Sequence, residues 1–444
     1  MFRSKINAYF VLILFFIASC SPKPTFLKKT GSPACVPSDP DLPFSQYVED
    51  SRKNIEHILS DLRFANGATP YLGQYSAAQA AQMRGPFERL PEKESAGPGK
   101  GKGFLLIHGL TDSPYLMRSI ADSLEQAYPN ATIRAVLLPG HGTVAGDSLN
   151  MRHTDWMAVT KYGVRSFEKM ETIFDLYLVG FSTGTALAIR HLQDNPKSSK
   201  IKGLILISTA VKAKSGAAFL SPYLRWVKEW LDTYSERDAV RYESFSVNAG
   251  AEFYLLTKNI IKSITPIDVP VLMAVSADDA TIDADAARQF FCGKVTARRR
   301  GLIWYASRHA ERNIDPPCGD IKEVKLGAVD REFQGTAYRF ANYAHTALSM
   351  SPADPHYGVN GRYHQCKSYD TPPKMEKFYN CQKGSAKTIF GERDIATKAA
   401  KKELDYDYWR RGTFNPDYPR LERAIICFAD ETCDLQKSMD DESK

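Results

Sequence analysis

Six short runs of apolar residues, with Arg134 the one charged residue among them, recur along the middle of the chain, several of them separated by segments long enough for a helix. The runs are residues 104–107, 133–138, 176–179, 204–207, 271–275 and 302–305. A strand without polar alternation is buried on both faces, as in a parallel sheet that is covered by helices above and below. The pattern therefore predicts an α/β protein with a doubly wound, mostly parallel sheet.

Length and composition limit the classes of protein that remain. The chain has 444 residues, which one large α/β domain with insertions can account for. Hydrophobic residues make up 43% and charged residues 25%, so the chain is neither disordered nor a multi-span membrane protein. The net charge of +7 is not gathered into a stripe. Nucleic-acid binding is therefore not expected.

The N-terminus reads as a secretory signal, because Arg3 and Lys5 precede an apolar run at residues 8–18. That run is too short for a transmembrane helix, which needs about 20 residues. Residues 17–20, Ile-Ala-Ser-Cys, resemble the lipobox of bacterial lipoproteins. The resemblance implies a signal peptide over residues 1–19 and an acylated Cys20 that attaches the protein to a membrane of the bacterial cell envelope. Ser21, which stands where some relatives have an inner-membrane retention aspartate, favours the outer membrane.

The rest of the chain divides into three parts. Residues 20–43, rich in proline, serine and lysine, are predicted to be a tether, and residues 44–360 the α/β domain. Within the domain, the long connection at about 211–268 predicts a helical cap over the carboxyl ends of the strands, where a site in such a fold is expected. Residues 361–444 form a C-terminal extension that completes the domain. The cap aromatics are candidates for an acyl pocket, although each could equally pack the cap on the core: Phe219, Tyr223, Trp226, Trp230, Tyr234, Tyr242, Phe245, Phe253 and Tyr254.

Seven cysteines remain besides Cys20, and six of them lie between residues 292 and 433. An exported protein keeps disulfides, so this C-terminal region is predicted to be disulfide-bonded. Six cysteines allow 15 pairings. Nearest neighbours would pair Cys292 with Cys318, Cys366 with Cys381 and Cys427 with Cys433, leaving Cys35 unpaired. A metal site at His356, His364 and Cys366 is not favoured, because no paired CxxC or HExxH motif accompanies them.

Two strand ends carry residues suited to acyl transfer. The apolar run at 176–179 leads into residues 180–184, G-x-S-x-G, with a helix-like segment after it. A nucleophile on a tight strand-to-helix turn needs small neighbours, which points to Ser182. The run at 104–107 leads into His-Gly-Leu-Thr, where the N–H of Leu110 is predicted to form an oxyanion hole with that of Thr183. His108 itself is expected to fix the loop.

These residues, together with Leu-Pro-Gly-His-Gly at 138–142, resemble the α/β-hydrolase superfamily, in particular its bacterial carboxylesterases and monoacylglycerol lipases. The resemblance covers roughly residues 101–429 and implies a Ser-acid-His order along the chain. The family places its acid three residues before an aliphatic residue, here Ile282, which favours Asp279 over Asp278. For the base, His309 follows the next strand directly. The surroundings of His345 are instead similar to the His loop of secreted and lipoprotein members, so His345 is preferred.

The sequence therefore predicts a serine hydrolase that cleaves carboxylic esters of acylglycerol or lysophospholipid type at a membrane surface. Neither a cofactor nor a metal is expected. Two alternatives stay open: a hydrolase-like envelope scaffold without catalysis, and a peptidase or acyltransferase on the same fold.

Overall fold

The structure is a computed structural model that describes residues 23–34, 36–61, 75–91, 97–196, 200–307, 318–326, 329–370, 374–385, 387–392 and 406–440. Cys20, Ser21, Cys35 and His309 lie outside the described residues, so the predictions made for them stay predictions. Within the described part of the chain, no helix has the length and apolar character needed to cross a bilayer.

The centre of the domain is an eight-stranded sheet in the order β1-β3-β2-β4-β5-β8-β9-β10. Only β1 runs antiparallel to its neighbour there. Each predicted apolar run lies in, or overlaps, one of its strands, which confirms the α/β class. The strands of the described chain are β1 (Phe87–Arg89), β2 (Lys102–Ile107), β3 (Thr132–Val136), β4 (Asp175–Phe181), β5 (Ile201–Ile207), β6 (Trp230–Asp232), β7 (Phe245–Ser246), β8 (Val271–Ser276), β9 (Arg300–Ser307), β10 (Ile321–Leu326), β11 (Val329–Phe333), β12 (Thr336–Phe340), β13 (Thr388–Gly391) and β14 (Tyr408–Arg411).

Helices cover both faces of this sheet. Their bounds are α1 (Phe44–Ser60), α2 (Ala77–Arg84), α3 (Arg118–Ala127), α4 (His153–Glu168), α5 (Thr183–Asp194), α6 (Ser221–Leu224), α7 (Val247–Thr257), α8 (Ala284–Lys294), α9 (Met375–Lys383), α10 (Tyr418–Ala429) and α11 (Leu435–Asp440). Short 3-10 turns lie at Thr25–Leu27, Pro114–Met117, Ala145–Asn150, Ala218–Leu220, His345–Ala347 and Lys367–Tyr369. Apolar side chains of α1, α4, α5 and α8 pack on one face of the sheet. Those of α3, α10 and α11 pack on the other.

The C-terminal extension is part of this core. Phe428 of α10 packs so closely on β5 that a side chain at Gly203 would lie 2.9 Å from its ring. Strands β11 to β14 form a second, four-stranded sheet. Disulfides join the three nearest-neighbour pairs, Cys292–Cys318, Cys366–Cys381 and Cys427–Cys433. The extension therefore closes one face of the sheet and is cross-linked locally.

Two segments differ from their sequence description. The described part of the predicted tether packs on the domain, where Phe26 and Leu27 are buried and both the N–H and the hydroxyl of Thr30 donate to Asp147 at 2.8 Å. The overall polar composition of this segment did not indicate that Phe26 and Leu27 would attach it to the domain. The cap at 211–268 is only partly helical, because the short strands β6 and β7 pair before α7.

Candidate active site

Ser182 lies on a sharp turn between β4 and α5. Its backbone adopts φ 51° and ψ −118°, a conformation that a non-glycine residue rarely takes and that the surrounding fold must enforce. The two flanking glycines make the turn possible. A Cβ atom on Gly180 would lie 2.6 Å from the backbone of Gly184, and one on Gly184 only 1.9 Å from the carbonyl oxygen of Ile107. The turn thus presents the Ser182 hydroxyl at the carboxyl end of the sheet.

The side chains of Ser182, His345 and Asp279 form one hydrogen-bonded chain. His345 Nε2 lies 2.9 Å from Ser182 Oγ, and its Nδ1 lies 2.5 Å from Asp279 Oδ2. All three residues are buried, with Asp279 fully enclosed and Ser182 6% exposed. This geometry lets His345 take a proton from the serine while the carboxylate fixes the orientation of the imidazole.

The two candidate aspartates make different contacts. Asp279 Oδ1 accepts the backbone N–H groups of Thr281 and Ile282 at 2.7 and 2.9 Å, which leaves Oδ2 facing His345. Asp278 instead accepts the N–H and the hydroxyl of Ser307 at 2.9 and 2.7 Å. Only Asp279 of the pair is hydrogen-bonded to the histidine, and Asp278 joins the loop after β8 to the end of β9.

The loop that carries His345 is fastened to the ends of two central strands. The hydroxyl of Ser208, just after β5, donates to the carbonyl oxygen of His345 at 2.9 Å. The hydroxyl of Ser276, the last residue of β8, donates to the carbonyl oxygen of Tyr343 at 2.7 Å. The histidine comes late in the sequence because β10 and the β11–β12 hairpin are inserted after β9. His309, the other candidate, falls outside the described residues.

Both residues of the predicted oxyanion hole, Leu110 and Thr183, are next in sequence to a residue at the turn: Gly109, which lies close to Ser182, and Ser182 itself. Thr183 is the first residue of α5, so its N–H is one of those that the helix leaves without an intrahelical partner. Leu110 follows Gly109, which approaches the serine so closely that a Cβ there would lie 3.0 Å from Ser182 Cβ. The loop is fixed on its other side, because Thr111 N–H donates to His141 Nε2 at 3.1 Å.

Both histidines near this loop are structural. His108 Nε2 accepts the N–H of Leu138 at 2.9 Å, and burial together with the neighbouring His141 holds the pKa of His108 well below its usual range. Burial lowers the pKa of His141 to about 4. Both imidazoles are therefore neutral near pH 7 and serve as hydrogen-bonding supports.

A charged pair next to the serine was not predicted from the sequence. Asp112 and Ser182 both lie close to Gly109: a Cβ atom placed on this glycine would be 2.4 Å from Asp112 Oδ2 and 3.0 Å from Ser182 Cβ. Arg241 of the cap lies 3.5 Å from Asp112 Oδ1. Burial raises the pKa of Asp112, against the opposing effect of Arg241. Neither side chain belongs to a recognisable motif, so only the folded cap brings them together.

The C-terminal extension contributes a second unpredicted pair. Glu392, just after β13, accepts the backbone N–H of His345 at 2.9 Å, and Arg411 at the end of β14 lies 2.8 Å from the Glu392 carboxylate. Arg411 also donates to the hydroxyl of Thr281 at 3.0 Å, in the loop that follows Asp279. This pair therefore connects the histidine loop to the aspartate loop. No sequence signal marks it, since the glutamate and the arginine are far from the motif residues.

Replacing Glu392 by alanine is expected to lower the free energy of unfolding by about 2–4 kcal/mol and kcat by about tenfold. The arginine would lose its partner and the His345 N–H its acceptor, which costs more than the pair itself contributes. Chemical denaturation and steady-state kinetics on a soluble ester would measure both. Glu392→Gln is the matched control, because its amide oxygen can still accept the N–H, and it should retain more activity than the alanine variant. Equal activity losses in the two variants would contradict the positioning role.

Comparisons with known proteins find similarity over part of the chain. Residues 102–240 match the family model described as serine aminopeptidase, S33. The chain is 26% identical over 198 residues to a thermostable monoacylglycerol lipase of Bacillus sp. (strain H-257), an alignment that covers 43% of this chain and 76% of that protein. Among solved structures, the monoacylglycerol lipase of Paleococcus ferrophilus aligns with a TM-score of 0.39 and 19% identity, over 50% of this chain and 88% of the other. A metagenome-derived lipolytic enzyme from the work on LipS and LipT aligns with a TM-score of 0.42 and 21% identity, over 49% and 86%.

The mostly parallel sheet, the strand-to-helix turn at Ser182 and the matched residues resemble those of the α/β-hydrolase superfamily. Over the aligned part, the sequence is similar to that of a monoacylglycerol lipase.

Proposed function

We propose that the protein hydrolyses the carboxylic esters of monoacylglycerols or lysophospholipids through a Ser182-His345-Asp279 triad. The observation that carries the proposal is the continuous hydrogen-bonded chain from the serine hydroxyl through the imidazole to the buried carboxylate. Lipid esters are favoured as substrates because the Bacillus relative is named as a monoacylglycerol lipase.

In the proposed first step, His345 Nε2 removes the proton of Ser182 as the serine oxygen attacks the ester carbonyl. The carbonyl oxygen becomes an oxyanion, and the N–H groups of Leu110 and Thr183 stabilise it by donating to it. The imidazolium that forms is stabilised by Asp279. The C–O bond to the alcohol then breaks, and His345 returns the proton to the leaving alcohol, which leaves an acyl group on Ser182.

The second step repeats this sequence with water as the nucleophile. His345 removes a proton from the water as its oxygen attacks the acyl carbonyl, and the same two N–H groups stabilise the new oxyanion. Collapse of this intermediate releases the fatty acid and returns the proton to Ser182. The burial of all three side chains supports the step, because electrostatic interactions are stronger where water is excluded.

We further propose that acylated Cys20 attaches the protein to the cell envelope, in the outer membrane, where lipid esters are at hand. This location rests on the lipobox-like residues 17–20 and on Ser21. Mass spectrometry of the N-terminal peptide from the purified, membrane-extracted protein tests it. A diacylated or triacylated cysteine is expected, and an unmodified Cys20 in a processed chain would exclude the anchor.

The function itself is tested with a fluorophosphonate, which phosphonylates activated serines, followed by measurement of intact mass. One adduct is expected on the parent and none on Ser182→Ala. A parent that stays unlabelled while showing a normal thermal transition would favour the non-catalytic scaffold instead.

The substrate class needs a separate panel, because the family model is described as serine aminopeptidase and a triad alone does not choose between ester and amide. Monoacylglycerols, lysophospholipids, short-chain esters and aminoacyl amides would be compared by kcat/KM. Esters are expected to be the faster substrates. Faster turnover of the amides would replace the esterase proposal with a peptidase.

A further inference from the structure

The segment that follows the predicted anchor is bound to the domain by specific contacts. We call residues 26–34 the N-terminal strap. Phe26 and Leu27, at its start, are buried in the apolar core that covers one face of the sheet. The strap then passes directly over Gly146, since a Cβ atom on this glycine would lie 2.1 Å from the carbonyl oxygen of Lys28. A flexible tether needs no such close packing, so the strap has a role of its own.

The middle of the strap is joined to a buried carboxylate. The N–H of Thr30 donates to Asp147 Oδ1 and its hydroxyl donates to Asp147 Oδ2, both at 2.8 Å. The hydroxyl of Thr143 donates to the same Oδ2 at 2.6 Å. Burial raises the pKa of Asp147, against the hydrogen bonds from the two threonines. Because a buried carboxylate depends on its donors, Asp147 holds the strap and the loop of Thr143 together.

From Thr143 the contacts continue to Tyr242 of the cap. The N–H of Thr143 donates to the Tyr242 hydroxyl at 3.0 Å, and this hydroxyl donates to the carbonyl oxygen of Gly140 at 3.2 Å. The N–H of Gly140 donates to the carbonyl oxygen of Ala34, at the end of the strap, at 3.1 Å. The backbone N–H of Tyr242 donates to the carbonyl oxygen of Thr111 at 2.7 Å. The strap is therefore joined through hydrogen bonds to the loop after β2.

Thr111 is the residue of that loop on which these contacts converge. Its φ of 63° is rare for a β-branched residue, so the surrounding structure has to impose this conformation. The N–H of Thr111 donates to His141 Nε2 at 3.1 Å, while its carbonyl oxygen accepts from Tyr242. Both backbone polar groups of Thr111 are thus held by residues that are themselves attached to the strap or follow Gly140 directly.

The peptide group that carries the Leu110 N–H is fixed from the same side. Its carbonyl oxygen, which belongs to Gly109, lies 2.8 Å from His108 Nδ1. His108 Nε2 accepts the N–H of Leu138 at 2.9 Å, so the ring proton is on Nδ1 and is donated to Gly109. In a trans peptide the N–H points away from the carbonyl oxygen. The bond between His108 and Gly109 therefore determines the direction of the Leu110 N–H.

From these contacts we propose that the N-terminal strap positions the Leu110 N–H for stabilisation of the oxyanion, with Thr30 as the positioning residue farthest from the site. The strap holds the loop at 138–147, and that loop holds the residues on both sides of Leu110. The proposal rests on the proposed function, because it takes Leu110 as a donor to the substrate oxyanion. It makes the segment next to the proposed anchor part of the catalytic apparatus, so displacement of the strap would lower the rate with the triad intact.

The first experiment compares Thr30→Val with Thr25→Val in the full-length protein. Both variants exchange a hydroxyl for a methyl group, but the Thr25 hydroxyl has no hydrogen-bond partner among the described residues, whereas that of Thr30 binds Asp147. On a soluble ester, kcat of Thr30→Val is expected to fall about fivefold, a small part of the roughly 10²-fold loss that removal of an oxyanion donor causes. KM should stay within about twofold of the parent, and Thr25→Val should match the parent in both constants. Each kcat is expressed per site titrated with fluorophosphonate, so that unfolded protein does not contribute.

A boronic acid inhibitor reports on the oxyanion hole, because its tetrahedral adduct with Ser182 places a boronate oxygen there. Its inhibition constant is expected to rise in Thr30→Val by the factor by which kcat/KM falls, and to stay unchanged in Thr25→Val. A less stable Thr30→Val with the kcat and the boronate affinity of the parent would overturn the proposal, since the strap would then serve the fold alone. Equal losses in Thr25→Val would overturn it as well.

Hydrogen exchange followed by mass spectrometry gives a readout that does not need activity. Amides in peptides that cover residues 108–113 and 138–147 are expected to exchange at least about threefold faster in Thr30→Val, while Thr25→Val keeps the parent rates. Parent rates in Thr30→Val would contradict the coupling between strap and loop. A parent that does not hydrolyse the ester would instead contradict the proposed function, and the exchange rates would still decide whether the strap holds the loop of Leu110.

Discussion

Replacing His345 by alanine is expected to lower kcat for ester hydrolysis by about 10⁶-fold, the loss seen when the base of a serine triad is removed. Without the imidazole 2.9 Å from its Oγ, the Ser182 hydroxyl has no acceptor for its proton when it attacks. The fold should persist, because the contacts that fasten this loop use the backbone of residue 345: its N–H donates to Glu392 and its carbonyl oxygen accepts from Ser208. Single-turnover kinetics on a soluble ester would measure the loss.

His309→Ala is the matched control, since His309 is the alternative base that the sequence leaves open. Its kcat is expected to stay within about threefold of the parent. The two variants should also have similar thermal transitions, so that any difference in rate reports chemistry. A large loss in His309→Ala with an active His345→Ala would reverse the assignment and would mean that the hydrogen bonds of His345 are structural.

The main sheet could be predicted from the sequence because its strands are buried on both faces. Such strands need uninterrupted apolar residues, and that requirement is visible without knowledge of what covers them. The sharp turn at Ser182 was equally visible, since it requires glycine at positions 180 and 184. Local steric demands and two-sided burial leave marks in the sequence that do not depend on distant residues.

Contacts between distant segments leave no such mark. The ion pair of Glu392 and Arg411 depends on β13 and β14 lying next to the His345 loop, which a pattern of charges cannot indicate. The packing of Phe26 and Leu27 within a polar segment is of the same kind. Cap aromatics such as Tyr223 and Trp226 were candidates for an acyl pocket but are exposed, whereas Tyr242 is buried beside His141. Aromatic content showed that the cap has apolar surface but not which side of it that surface occupies.

The adjacent aspartates offer the sharpest test of the candidate site, because one substitution at each position should affect a different property. Asp279→Asn is expected to lower kcat by about 10⁴-fold with little loss of stability. An asparagine oxygen can still accept the N–H groups of Thr281 and Ile282, so the loop keeps its shape. Its NH₂ group would face His345 Nδ1 and donate to it, so the single imidazole proton would have to be on Nε2. A protonated Nε2 cannot accept the proton of Ser182.

Asp278→Asn should show the opposite pattern. The Asp278 carboxylate accepts the N–H and the hydroxyl of Ser307 with its two oxygens. An asparagine oxygen can accept the N–H while its NH₂ group donates to the Ser307 hydroxyl, so both hydrogen bonds lose the charge of the carboxylate. The free energy of unfolding is therefore expected to fall by about 1–3 kcal/mol while kcat stays within a few-fold of the parent. Denaturant unfolding and ester kinetics on both variants give four values. If the rate loss appears in Asp278→Asn and not in Asp279→Asn, the 2.5 Å contact between Asp279 and His345 does not orient the base. Losses of rate in both variants, without loss of stability in either, would instead mean that the two carboxylates act on the histidine together.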